Sequence, residues 1–210
     1  MSIKDGYVRG ELCAIRPATV VDFGAGAGKM GELCREELGS DVRLTAVEGC
    51  ASTVDLLKGK GIYDQVEHCL LQEWVASNTE RFDLAIFGDV LEHVTRGEAF
   101  ATLNRVLSQV KHVIVNVPLR NLQQDGHESN PLEEHRAYLF ERDFDRRYII
   151  REKHLVGDVP GYMILNVWIT GRRHLNVKGW LKDTLLATLG RRGKWLLERL
   201  GYDAFPRANT

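Results

Sequence analysis

The chain has 210 residues and a formal net charge of −1, with 44% hydrophobic and 27% charged residues. This length is sufficient for one well-buried α/β domain with a short extension. The near-neutral charge excludes a globally basic protein that its overall field would draw to nucleic acid. The chain has no run of about 18 uncharged apolar residues, so we expect no membrane-spanning helix.

The cysteines and the amino-terminal segment bear on the cellular compartment. The four cysteines are widely spaced and form no C-x-x-C pair, so we expect buried free thiols rather than a zinc site or a redox dithiol. The first residues, MSIKDGYVRGE, contain no apolar core of a signal peptide. Free thiols are typical of a reducing compartment. We therefore expect a cytoplasmic protein.

Helical and extended patterns alternate along the first half of the chain. A first helix is predicted over 7–16, where Pro17 ends it. The predicted strands that follow are 19–23, 42–48, 65–71, 82–90 and 111–117. The predicted helices between them are 28–39, 51–60 and 97–109. Apolar strands that alternate with helices are typical of a parallel sheet covered on both faces.

The pattern changes after Pro118. Residues 118–136 form a long polar stretch, and loops of this length in compact domains are often functional. Two extended segments, 146–156 and 162–171, then flank a short turn and predict an antiparallel hairpin at the sheet edge. The sequence therefore predicts an α/β fold, a Rossmann-like doubly wound, mostly parallel sheet with an antiparallel carboxyl-terminal hairpin.

The end of the chain has a different composition. Residues 172–200 carry eight Lys or Arg against two acidic residues, and their leucines and tryptophans form two apolar stripes. One interpretation is a helical pair that packs on the domain or in a homodimer, and the other is an amphipathic surface in peripheral contact with an anionic membrane. We divide the chain into a domain over 1–171 and a basic amphipathic helical tail over 172–210.

The segment VVDFGAGAGKMG runs from the first predicted strand into a glycine-rich turn. Such a turn lets the backbone approach a ligand that side chains would exclude. Gly26, Gly28 and Gly31 satisfy the G-x-G-x-x-G pattern of dinucleotide sites. Two features favour S-adenosylmethionine instead. The Asp22 carboxylate suits an ammonium group and would repel a pyrophosphate, and the glycines begin already at Gly24.

Three segments together resemble the class I S-adenosylmethionine-dependent methyltransferases, particularly their small-molecule branch. These segments are VVDFGAGAGKMG, AVEG and FDLAIFGDVLEHV, and LEHV is frequent after the fourth strand of that family. The resemblance covers about residues 18–170. It implies five parallel strands followed by a reversed hairpin, and a methyltransferase that uses S-adenosylmethionine as its cofactor.

The resemblance also implies which residues of the first two strands contact the cofactor. Asp22 and Gly24 would face its methionine part, and Gly26 and Gly28 would let the backbone pass beneath it. Glu48, at the end of the second strand, would hold the ribose hydroxyls. A dinucleotide needs an acid there as well, so Glu48 does not discriminate between the two cofactors.

Further cofactor contacts are implied after the third and fourth strands. Leu71 and Gln72 would border the adenine, although the family often has an acid where this chain has Leu71-Gln72-Glu73. Asp89 and Val90 would line the pocket of the methyl donor.

Three histidines are candidates for the catalytic residue. The sulfonium is already reactive, so positioning does much of the catalysis, and a base is needed only for an acceptor such as a hydroxyl. A histidine titrates in the right range. His93 lies in the LEHV segment, and His127 and His135 lie in the polar stretch after the fifth strand. Ligands in this fold bind outside the carboxyl ends of the strands, so we interpret residues 125–135 as an acceptor lid.

Two further features restrict the site. Asn130-Pro131 is typical of a helix start, with Asn130 as the cap. His127, Glu134 and His135 are chemically suitable metal ligands, but no spacing among them fixes a geometry, so we expect no metal site.

The acceptor class is narrowed mainly by absences. The chain lacks the Asp/Asn-Pro-Pro-aromatic element of enzymes that methylate base amines, so we expect no DNA substrate. We expect a small-molecule acceptor, methylated at a hydroxyl of a glycan or a secondary metabolite. The alternatives are N-methylation of a small molecule or a protein, an NAD(P)-binding oxidoreductase, and a cofactor-binding subunit without activity.

Overall fold

The structure is a computed structural model that describes residues 3–119, 125, 130–159 and 162–172. Its strands are β1 (Thr19–Phe23), β2 (Arg43–Glu48), β3 (Gln65–His68), β4 (Phe82–Gly88), β5 (Val110–Pro118), β6 (Tyr148–Val159) and β7 (Tyr162–Arg172). Its α-helices are α1 (Ile3–Ile15), α2 (Lys29–Leu38), α3 (Ala51–Lys60), α4 (Leu71–Ser77), α5 (Arg96–Val106) and α6 (Glu141–Asp145). Two single 3-10 turns lie at Leu91–His93 and Pro131–Glu133.

The strands form one sheet in the order β3-β2-β1-β4-β5-β7-β6. Strands β1 to β5 are parallel, and β7 pairs antiparallel with both β5 and β6. The predicted mostly parallel sheet with an antiparallel carboxyl-terminal hairpin is confirmed. The strand order reverses between β1 and β4, which is where ligands bind in doubly wound sheets.

Both faces of the sheet are covered at its centre, which explains why the central strands β1 and β4 are mostly apolar. Val21 and Phe23 of β1 pack with Phe87 and the helices α4 and α5. Val20 packs on the other face with Ile86 and the helices α1, α2 and α3. Burial on both sides selects an unbroken apolar run, and such runs were the signal from which the strands were predicted.

The segment after β3 differs from the prediction. Strand β3 ends at His68, and residues predicted as its end begin the helix α4. The Glu73 carboxylate accepts a hydrogen bond of 3.0 Å from the backbone N–H of Leu70, which caps the helix start. Leu71 and Trp74 turn inward at helical spacing. Leu70 and Leu71 extend the apolar run of the strand in the sequence, so the start of helix α4 was not recognised there. The short helix α6 was likewise not predicted.

Three other predictions concern the cysteines, membrane-spanning helices and the residues outside the described ranges. None of the four cysteines, which all lie in the described ranges, forms a disulfide, but the expectation of buried thiols holds only for Cys34, because Cys13 is exposed and Cys50 and Cys69 are half-buried. No helix in the described ranges is long and apolar enough to cross a bilayer. The predicted tail beyond residue 172 and the predicted catalytic His127 lie outside the described residues.

Candidate functional site

The turn after β1 requires glycine at its first position. Gly24 has a φ of +62°, in the left-handed region that favours glycine. A Cβ atom on Gly24 would also lie 2.4 Å from Cγ2 of Val90. Gly26 is left-handed as well, with a φ of +52°. The backbone of this turn is therefore bare where it meets the segment after β4.

The Glu48 carboxylate holds this turn from the end of β2. One oxygen accepts a hydrogen bond of 3.0 Å from the N–H of Gly26, and the other accepts one of 2.8 Å from the N–H of Cys50. Glu48 is buried, yet it contributes to the wall of a cleft. A carboxylate has about four lone-pair sites, so two such bonds leave acceptor capacity for hydroxyl groups in the cleft.

A cleft of about 480 Å³ opens at the carboxyl ends of β1, β2 and β4. Ligand pockets commonly have about 300–1,000 Å³, so this volume suits a small organic ligand. Its wall contains eight of the residues predicted from the sequence: Gly24, Gly26, Glu48, Leu71, Gln72, Asp89, Val90 and His93. Leu132, from the predicted lid, also lines the cleft, and residues that were not predicted complete its wall, among them Lys29, Leu70, Glu98 and Arg136.

Asp22 lies beneath the glycine turn and does not line the cleft. It is only 2% exposed, and the Tyr63 hydroxyl donates a hydrogen bond of 2.5 Å to its carboxylate. The N–H of Gly31 donates to the same hydroxyl over 3.0 Å. Burial raises the pKa of Asp22 to about 7, and the bond from Tyr63 limits the rise. The Asp22–Tyr63 pair therefore supports the start of α2.

Gly28 and Gly31 are used for packing. A Cβ atom on Gly28 would lie 3.1 Å from Ile62 and 3.2 Å from Leu57. A Cβ atom on Gly31 would lie 2.4 Å from the Tyr63 ring. These glycines face the region of α3 and the segment after it, so the G-x-G-x-x-G pattern does not describe three ligand contacts here. Tyr63 was missed from the sequence because its partners are far away along the chain.

The turn after β4 begins with an unusual backbone conformation. Asp89 has a φ of +56°, which is uncommon for a residue other than glycine and concentrates at functional sites. Its N–H donates a hydrogen bond of 2.9 Å to the carbonyl of Asn116 on β5. This conformation places Asp89 and Val90 on the wall of the cleft, directly before the 3-10 turn that carries His93.

The segment after β5 docks on that 3-10 turn. The N–H groups of Arg136 and Ala137 donate to the Glu92 carbonyl over 2.7 and 2.9 Å. His93 and His135 meet edge to face, with ring centroids 4.9 Å apart. Burial and the neighbouring His135 lower the pKa of His93, which favours its neutral form. Both histidines were predicted, but their proximity was not.

The predicted lid is seen in part. Asn130 caps the 3-10 turn at Pro131–Glu133, because its side-chain oxygen accepts a hydrogen bond of 3.2 Å from the N–H of Leu132. Leu132 reaches across the cleft entrance to Gly49, since a Cβ atom there would lie 2.8 Å from it. The predicted helix start is thus a single capped turn, and it lies beside the end of β2.

Residues 21–115 match the family model described as a methyltransferase domain. That range contains the glycine turn, Glu48 and the segment after β4. This match supports the predicted resemblance to the class I S-adenosylmethionine-dependent methyltransferases over that part of the chain. No curated protein matches this chain in sequence.

Several solved structures resemble this chain in fold. The N-terminal domain of EvdMO1, in the presence of SAH and D-fucose, is 12% identical with a TM-score of 0.60, over 82% of this chain and 84% of that one. An O-methyltransferase family protein from Burkholderia thailandensis is 13% identical with a TM-score of 0.55, over 80% of this chain and 55% of that one. Magnesium protoporphyrin IX methyltransferase from Synechocystis PCC 6803 with bound SAM is 15% identical with a TM-score of 0.57, over 80% of this chain and 78% of that one.

The lining of the cleft has the kinds of groups that S-adenosylmethionine requires. The glycine turn leaves room that a single Cβ atom at Gly24 would disturb. Glu48 offers an acidic acceptor to hydroxyl groups, and Leu70 and Leu71 offer an apolar wall to a flat ring. Polar backbone, carboxylate and apolar side chains thus match the amino-acid, ribose and adenine parts of the cofactor.

Proposed function

We propose that this protein is a methyltransferase, and that it moves the methyl group of S-adenosylmethionine to a hydroxyl group of a small polar molecule, either a glycan or a secondary metabolite. The observation that carries the proposal is the position of His93, which lies on the wall of the cleft in ring contact with His135. The lowered pKa of His93 favours its neutral form. A hydroxyl holds its proton near neutral pH, so its methylation needs a group that handles this proton.

The position of the cofactor forms the first part of the proposal. Glu48 holds the ribose hydroxyls with the acceptor capacity that its two backbone bonds leave. Gly24 and Gly26 pass beneath the methionine part, and Leu71 and Gln72 border the adenine. Asp22 acts from below the turn, through Tyr63, since it is absent from the wall of the cleft.

The acceptor occupies the part of the cleft that the segment after β5 covers. This region offers Glu98, Glu133 and Arg136, together with His93. These groups include both acidic and basic side chains, which accept and donate hydrogen bonds. They suit a polyhydroxylated acceptor better than an apolar one. Asp89 and Val90 line the route between the two ligands. The sulfonium methyl group then needs only an oxygen held in line with it.

A matched acceptor panel tests the proposal. Purified protein is incubated with radiolabelled S-adenosylmethionine and pairs of hydroxylated compounds and their amino analogues, for example sugars and amino sugars. We expect label on the hydroxyl compounds. Label on the amino analogues alone would contradict hydroxyl methylation and favour the N-methyltransferase alternative.

The role of His93 is tested separately on the best acceptor. We expect His93→Ala to lower kcat by about 100-fold, the lower range of general acid–base effects, with little change in the affinity for S-adenosylhomocysteine. His112→Gln is the control, because His112 lies near the opposite end of the sheet, against Trp168. Equal kcat values in the two variants would remove His93 from the reaction.

Several features remain predictions, because they concern residues outside the described ranges or the location of the protein in the cell. His127 stays a predicted catalytic residue. The tail stays a predicted contact for a membrane or a second copy, and the cytoplasmic location also stays a prediction.

A further inference from the structure

Three side chains with metal-binding atoms converge beside the cleft. The Glu92 carboxylate and the His93 and His135 imidazoles each offer one ligand atom, and these three atoms lie within 4.8 Å of one another. Glu92 and His93 come from the 3-10 turn after β4, whereas His135 comes from the segment after β5. One carboxylate and two imidazoles form a known donor set of catalytic zinc sites.

The three atoms lie within reach of one ion. Bonds of about 2.0–2.2 Å from a tetrahedral zinc ion to nitrogen or oxygen place its ligand atoms about 3.3–3.6 Å apart. The three atoms, which lie within 4.8 Å of one another, therefore share one ion after side-chain rotations that bring them closer by up to about 1.5 Å. Two imidazoles in the set favour zinc-type ions over magnesium, which prefers oxygen ligands.

The backbone holds the two segments in place. Both backbone bonds to the Glu92 carbonyl come from the residues that directly follow His135. The Glu134 carbonyl lies 3.3 Å from Nδ1 of His93, and because a carbonyl only accepts, Nδ1 carries the proton. This leaves Nε2 of His93 with its lone pair. A backbone carbonyl that fixes the tautomer in this way is typical of histidines that bind metals.

The surroundings also suit a cation. Glu92 is only 2% exposed, and a buried carboxylate is stabilised by a nearby positive charge. His93 and His135 lie in ring contact, so a single ion can contact both imidazoles. His93 also lines the cleft, so an ion bound here is next to the space proposed for the acceptor.

We propose that Glu92, His93 and His135 bind one zinc-type divalent ion, whose remaining coordination positions take the acceptor hydroxyl. This inference rests on the proposed hydroxyl methylation, and it departs from the sequence-based expectation of no metal site. Bound to the ion, the hydroxyl has a lower pKa and releases its proton to solvent.

The transfer step then balances without another reactant. The metal-bound oxygen attacks the methyl carbon and forms the new O–CH₃ bond. The S–CH₃ bond breaks, its electron pair stays on sulfur, and S-adenosylhomocysteine leaves. In this arrangement the two histidines act on the proton through the ion, and neither of them needs to accept it directly.

Metal binding is tested without any acceptor. The full-length protein is stripped with a chelator, dialysed and titrated with Co²⁺, whose visible absorption reports its coordination, and then with Zn²⁺ in competition. We expect one ion per chain and displacement of Co²⁺ by Zn²⁺. The absence of a cobalt band that zinc displaces, or binding of Mg²⁺ alone, would overturn the proposal.

Variants then locate the ion. We expect His135→Ala and Glu92→Gln each to weaken Co²⁺ binding by at least about tenfold and to change its spectrum, while His112→Gln leaves both unchanged. Binding of S-adenosylhomocysteine by calorimetry shows that each variant keeps its fold. Variants that bind this nucleotide and retain the parent's cobalt spectrum would overturn the assignment of these ligands.

A third measurement separates the metal from the reaction. We expect the stripped protein to lose hydroxyl methylation and to recover it with Zn²⁺ or Co²⁺, while its affinity for S-adenosylhomocysteine is unchanged. Full activity in protein shown to be metal-free would overturn the catalytic role of the ion. If no hydroxyl compound is methylated although the ion binds, then the proposed function fails and the metal site stands.

Discussion

The two halves of the cleft are built by different means. The half formed by the turn after β1 and the end of β2 consists of backbone shaped by Gly24 and held by Glu48. The half formed after β4 and β5 consists of side chains from two distant segments, joined by hydrogen bonds to the Glu92 carbonyl. The first half has steric requirements that are visible in a short stretch of sequence, whereas the second exists only after the segments dock.

This difference suggests a division of labour. A shared cofactor needs the same bare backbone and carboxylate whatever the acceptor is, so a compact local arrangement serves it. An acceptor site has to vary between enzymes, and side chains on loops provide that variation. Changes in the first half should therefore act on cofactor affinity, and changes in the second half on metal binding and turnover.

The largest effect on cofactor affinity is expected from Gly24→Ala. The new methyl group would meet Val90, and the left-handed backbone would be strained, so the turn has to move. We expect the affinity for S-adenosylhomocysteine to fall by about 100-fold, as about 3 kcal/mol of strain implies. Calorimetry measures it.

Gly61→Ala provides the matched control for this variant. Gly61 has nearly the same φ, +63°, but no atom lies within 4 Å of the added Cβ. It should lose about 1 kcal/mol of unfolding free energy and keep its cofactor affinity. An equal loss of affinity in both variants would show that the contact with Val90 has no part in cofactor binding.

A comparable or smaller loss is expected from Glu48→Ala. This change removes an acidic acceptor from the cleft and leaves the N–H groups of Gly26 and Cys50 without this partner. We expect cofactor binding to weaken by about 1–3 kcal/mol, or roughly 5- to 150-fold. Glu67→Gln on β3 is the control. An affinity equal to that of the parent protein would take Glu48 out of the site.

Asp22→Asn should leave cofactor affinity nearly unchanged and act on stability instead. The folded-state pKa of Asp22, about 7, lies above its value in the unfolded chain, so its contribution is full at low pH and is lost as the pH rises through 7. Between pH 5 and 8 the parent protein should lose about 1–3 kcal/mol of unfolding free energy relative to the variant.

Denaturant unfolding across that pH range measures the difference. Glu11, whose pKa burial raises to about 8, is present in both proteins, so its own pH dependence cancels. A large loss of cofactor affinity in Asp22→Asn would place the carboxylate in the cleft. In that case Asp22 would contact the cofactor directly, and a different residue would have to support the glycine turn from below.

The sequence predicted most of the first half and little of the second. Buried strands can be recognised in the sequence as apolar runs, and Gly24 and Gly26 belong to the glycine-rich segment that follows the first of them. The support of Asp22 by Tyr63 has no local signal, because the two residues are 41 positions apart. Glu92 belongs to the LEHV segment, which was recognised in the sequence, but its closeness to His135 depends on how the segment after β5 docks.

The identity of the cofactor is tested most directly by parallel calorimetric titration of the purified protein with S-adenosylmethionine, S-adenosylhomocysteine, NAD and NADP. We expect micromolar binding of the two sulfur nucleotides and no heat from either nicotinamide nucleotide. Binding of a nicotinamide nucleotide alone would contradict this expectation. That result would mean that the turn at Gly24 and Gly26 holds a pyrophosphate, and that the cleft serves hydride transfer.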